Sequence, residues 1–214
     1  MDNLEGLMMT DPRAADPQAG DKAGISQASL SAMLRSMEAR ARQAEYPDQR
    51  ARILNLAGDL CFDAGERERS LSYYGRAIDI HVAHHEYSAA VAICQKIVRL
   101  TPEVVRARCT LAWMAIARGL IQEAQTRIAD YKSAAETAGQ ARLARAHLLM
   151  MAEVIENRDL LLTIAESLIE LGDAENADRV YGAAFGCAYE HRMAGDADER
   201  WRTVLRRITS EQRN

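Results

Sequence analysis

The stretch Leu54-Asn-Leu-Ala-Gly-Asp-Leu-Cys61-Phe-Asp-Ala-Gly65 decides the fold class. Leu54, Ala57, Gly58 and Cys61 recur at three- and four-residue spacing, so they share one face of a helix, and Gly65 ends it. Sixteen residues after Leu54, Ser70 and then Tyr74 continue the same spacing in a following segment. Two helices joined by a glycine turn are therefore predicted. Small residues at Gly58 and Ser70 let them approach closely, while Leu54, Ala57, Cys61 and Tyr74 fill the space between them.

Outward from this hairpin the pattern recurs. Gly65, Gly119 and Gly172 stand 54 and 53 residues apart, and each closes a similar helix. Leu161, Ile164, Ala165 and Leu168 with Ala177 and Tyr181 reproduce the small-against-large order, as do Leu111, Ala112 and Ala115 with Ala124 and Ile128. A fourth match, Ala90 with Cys94, runs to Pro102. Further breaks at Pro47, His85-Glu86, Thr101-Pro102, Gly139, Asn157 and Gly195 delimit segments of helical length. Upstream, Leu30, Met33, Leu34 and Met37 set a helix near 26–45 and a second follows near 48–64. Extra helices near 87–100 and 140–156 give each period three helices. The expectation is an all-α chain of about ten antiparallel helices over 25–214, behind a flexible N-terminal tail over 1–24 that holds Pro12, Pro17 and five carboxylates.

Composition agrees. Hydrophobic residues make up 48% of the 214, but aromatic ones only 5%, which favours close-packed helices over sheets. The formal charge of −4 supplies no basic field of the kind that gathers nucleic acid. Cys61, Cys94, Cys109 and Cys187 are scattered singly, without a CxxC pair, and read as reduced core residues. No uninterrupted apolar run approaches membrane-spanning length and the start lacks the pattern of a signal peptide, so a cytoplasmic protein without membrane insertion is expected.

The quoted matches, over about 50–195, resemble the tetratricopeptide repeat (TPR) family, in degenerate form. No helix carries the Trp of the family signature, Arg108 stands at that place in the third match, and the period is longer than the usual one. The resemblance implies a right-handed α-solenoid whose extended concave surface serves protein docking, and hence a non-catalytic adaptor or scaffold. The carboxylate clamp known from such domains would place Asn or basic side chains where this chain has Asp59, Trp113 and Glu166, and again where it has Asp63, Ala117 and Glu170. The clamp is absent and its charge inverted, which argues against a cochaperone.

Asp59 with Asp63, and Glu166 with Glu170, are i,i+4 pairs, each on one helix face. Glu153 to Asp178 holds eight carboxylates and one arginine. A groove lined by these residues would attract a basic or extended segment of a partner protein; a solvated acidic face is the alternative. Trp113 is a candidate anchor for such a segment, core packing being the commoner role of a lone Trp. The expected partner site is thus Asp59, Asp63, Trp113, Glu166 and Glu170.

Two other readings compete. The terminal helix around Trp201, Val204, Leu205 and Ile208 would join copies or subunits if the chain were a structural component of an assembly or a homo-oligomer. His81, His84 and His85 stand near ligand spacing for a metal-dependent enzyme or sensor, although they lack HExxH order and a place at a helix C-terminus suffices to explain His84 and His85. No nucleophile elbow, phosphate-binding loop or dinucleotide turn occurs, so neither catalysis nor a cofactor is expected.

Overall fold

In a computed structural model, which describes residues 26–185, the chain forms nine helices and no strand among the described residues. They are α1 (Gln27–Gln43), α2 (Pro47–Asp63), α3 (Arg67–Ala83), α4 (Tyr87–Leu100), α5 (Val105–Ala117), α6 (Ile121–Thr137), α7 (Ala141–Ala152), α8 (Arg158–Glu170) and α9 (Ala174–Phe185). The N-terminal segment over 1–24, the break at Gly195, Cys187 and the terminal helix around Trp201 lie outside the described residues.

Local chemistry sets the ends. Ser26 and Asn157 cap α1 and α8, their side chains accepting the Ser29 and Leu160 N–H groups at 3.2 and 3.0 Å. Pro47 starts α2, where its fixed φ and missing N–H do no harm. Five helices end in the same six-to-one turn: the N–H groups of Glu66, Glu86, Leu120, Gln140 and Asp173 reach the carbonyls of Cys61, His81, Ala115, Ala135 and Leu168 at 2.7–3.0 Å. The left-handed residue of each turn is Gly65, His85, Gly119, Gly139 or Gly172. His85, at φ 59°, is the exception among them, since its Cβ meets the carbonyl that a glycine avoids. His85→Gly is therefore expected to raise the unfolding free energy by roughly 0.5–1 kcal/mol, and Gly139→Ala to lower it by about 1 kcal/mol. Urea midpoints of the two variants check the pair. A lower midpoint for His85→Gly would mean that its 3.1 Å hydrogen bond with the Tyr87 hydroxyl outweighs the backbone cost.

The hairpins α2–α3, α5–α6 and α8–α9 make the most extensive helix contacts, so the three-helix period is real. The three-dimensional stack, however, has a period of two. Side chains link helices two apart in sequence. Tyr73 and Arg76 of α3 reach Glu38 of α1, Arg106 of α5 is held electrostatically by Asp79 of α3, and Cys109 of α5 meets His147 of α7. In the other layer Lys96 of α4 reaches Asn55 and Asp59 of α2, and Gln125 of α6 donates to Thr163 of α8. Odd-numbered helices thus form one layer and even-numbered helices the other, in a two-layered α-solenoid.

Helix α5 joins the two ends of this stack. Ala107, Leu111 and Met114 pack into a core with α1–α4, and Val105, Cys109, Ala112, Trp113 and Ala115 into a core with α6–α9. Eight of its residues are buried, which explains why it is apolar nearly all round where the other helices are amphipathic. Cys61, Cys94 and Cys109 are free, buried thiols. Burial pushes Cys94 and Cys109 up to about 12, so both are protonated packing groups at neutral pH.

Candidate functional site

The three helices that carry the expected partner residues, α2, α5 and α8, share one small-against-large sequence pattern, yet they do not share a layer. A three-helix sequence period laid on a two-layer stack moves each successive copy to the opposite layer. Asp59 and Asp63 of α2 and Glu166 and Glu170 of α8 consequently lie in the even layer, while Trp113 of α5, at the position equivalent to Asp59 and Glu166, lies in the odd one. Trp113 is 0% exposed. Its expected place as a groove anchor is corrected: the indole fills the core between α5 and α6–α9, and its N–H interacts with the Cys109 thiol.

The four carboxylates also differ among themselves. Asp59 Oδ1 accepts from the Tyr74 hydroxyl at 2.5 Å and from Lys96 Nζ at 2.7 Å, and Lys96 Nζ also donates to Asn55 at 2.8 Å while lying 4.8 Å from the Tyr74 ring centroid. Burial first, and then the bond to Asp59, raise the Tyr74 hydroxyl well above its ordinary range, so it remains a donor. Asp59 is thus tied into the fold through α3 and α4. Glu170 is exposed but bridged to Lys132 of α6. Lys96 and Lys132, the two lysines of the described residues, thus each tie an acidic helix of the even layer to its neighbour. Asp63 and Glu166 are exposed and make no ion pair among the described residues.

Two exposed apolar residues complete this face. Leu56 is 51% exposed and lies three and seven residues before Asp59 and Asp63; Ile169 is 49% exposed and lies between Glu166 and Glu170. Helical spacing puts each beside its acidic neighbours. The sequence reading singled out neither Leu56 nor Ile169 as a surface residue. The signal was present: both lie off the stripes Leu54–Ala57–Cys61 and Leu161–Ala165–Leu168, on the charged side of the helix.

The histidine cluster has other work. His81 Nδ1 is 2.6 Å from Glu86 Oε2, His84 caps α3, and His85 occupies the left-handed turn position. Among the described residues no three His, Cys, Asp or Glu side chains are grouped to hold a metal ion.

A second polar group, unanticipated from the sequence, is enclosed. The Tyr131 hydroxyl is 2.7 Å from His147 Nδ1, and Cys109 Sγ is 3.5 Å from the same nitrogen. All three residues are buried. Burial raises the Tyr131 hydroxyl far above its ordinary range, so the phenol keeps its proton within this group. The arrangement satisfies three buried polar groups where α5, α6 and α7 meet.

No helix among the described residues is long and apolar enough to cross a membrane. A scan of the chain against protein-family models and a search of curated proteins found no match.

Proposed function

We propose that this protein is a non-catalytic adaptor or scaffold, of TPR-like construction, whose even layer presents a partly acidic face to a basic or extended segment of a partner protein. The observation that carries the reading is the pairing, on both α2 and α8, of a half-exposed aliphatic side chain with exposed carboxylates in one layer: Leu56 with Asp63, and Ile169 with Glu166. An apolar contact supplies affinity, while the carboxylates steer and select a basic segment. Asp59 and Glu170 act mainly by holding neighbouring helices through Lys96 and Lys132.

The test is capture of partners by the full chain at low and high salt, with the wild type beside Asp63→Lys/Glu166→Lys. Neither carboxylate makes an ion pair among the described residues, so the variant should melt with the wild type and yet bind a captured partner about tenfold or more weakly at low salt. Equal capture by the variant would remove the acidic face from the mechanism. The second reading, a structural subunit or homo-oligomer, is decided by mass in solution over a range of concentrations. A stable oligomer would favour it.

A further inference from the structure

At the edge of the solenoid where α2 and α4 begin and α3 and α5 end, an open cleft of about 480 Å3 is lined by the charged and imidazole side chains of Asp48, Arg52, His81, His85, Glu86 and Arg118. The two acids are already engaged with the fold. Glu86 is paired with His81, and Asp48 lies in the first turn of α2, where a negative charge meets the positive end of the helix. The two arginines are not: neither Arg52 nor Arg118 makes an ion pair among the described residues. They come from different helices, α2 and the C-cap of α5, and the His85 imidazole joins them from the turn between α3 and α4.

We propose that this cleft binds an oxyanion, the chemistry shared by a carboxylate and a phosphate group, through Arg52, Arg118 and His85. A guanidinium offers parallel N–H donors that match two oxygens of such a group, and two guanidinium groups without carboxylate partners leave that capacity unused by the fold. The cleft is of the size of small-molecule sites, roughly 300–1,000 Å3, and it is open to solvent, so the anionic group sits there while the rest of its molecule extends outward. Arg52 is near the beginning of α2 and Asp63 at its end, so this site is separate from the acidic face and stands or falls without it.

The experiment is a titration of the isotopically labelled full chain with inorganic phosphate and, separately, with glutarate, followed by amide and side-chain chemical shifts at low, constant ionic strength. Saturable shifts centred on Arg52, His85 and Arg118 are expected, weakened about tenfold or more in Arg52→Gln/Arg118→Gln. Saturation by phosphate alone or by glutarate alone identifies the source of the oxyanion. His85→Gly, which relieves rather than strains the backbone, should weaken binding several-fold without loss of stability, and so separates binding from folding. Non-saturating shifts spread over the surface, or undiminished affinity in the arginine variant, would overturn the site.

Discussion

Replacing Trp113 by alanine is expected to lower the unfolding free energy by about 3–5 kcal/mol, the range for deleting a fully buried Trp or Phe ring. The position determines the size of the effect. Trp113 is among the largest fully buried side chains, and its helix, α5, contributes to the cores on both sides. A void there cannot be filled from solvent-facing side chains, because the indole belongs to a close-packed cluster of buried residues drawn from α5 to α9. A solenoid is stabilised chiefly between neighbours, so weakening its central helix should also loosen the coupling of its two ends. Urea unfolding followed by circular dichroism is expected to show both a lower midpoint and a broader transition. A loss below about 1 kcal/mol would be incompatible with an indole buried in this core.

The fate of Trp113 also shows which part of the architecture can be read in the residues. The boundaries of the helices were legible, because each turn is written locally: Pro47 opens α2, Asn157 caps α8, and Gly65, Gly119, Gly139 and Gly172 take the left-handed conformation that other residues avoid. Even the non-glycine turn at His85 was visible as a break. The layer to which a helix belongs was not legible. The small-against-large pattern describes how two consecutive helices fit together, and α5–α6 satisfies it as well as α2–α3 does. It carries no term for the helix two places away, which decides whether a residue at a given register faces solvent or a core.

The same locality limits what charge counting reveals. The i,i+4 pairs Asp59–Asp63 and Glu166–Glu170 were correctly placed on single helix faces, but Lys96 and Lys132 meet Asp59 and Glu170 across 37 and 38 residues of sequence. These pairings exist only after the even layer has assembled. They turn two of the four expected contact carboxylates into links between helices and leave Asp63 and Glu166 as the exposed charges. Leu56 and Ile169 then matter because they interrupt an otherwise polar face, which no net charge records.

Gly58→Ala should destabilise the protein by about 1–3 kcal/mol, whereas Gly75→Ala, one helix later, should stabilise it by about 0.5–1 kcal/mol. Intrinsic helix propensity predicts a gain of about 1 kcal/mol for both, since alanine restricts the unfolded chain and loses nothing in an open helical site. At Gly75 nothing lies within 4 Å of the added Cβ, so propensity decides. At Gly58 the added Cβ would lie 2.5 Å from Cε1 and 2.6 Å from Cδ1 of Tyr74. That ring is 1% exposed, tethered through its hydroxyl to Asp59 and covered by Lys96, so it has no free end with which to move aside. The contact must instead be relieved by separating α2 from α3, which loosens the Asp59–Lys96 link from α2 to α4 as well. Melting both alanine variants beside the wild type tests the account. If both were stabilised, the close approach of Gly58 to Tyr74 would not govern the hairpin, and the small-against-large rule that identified it would lose its physical basis.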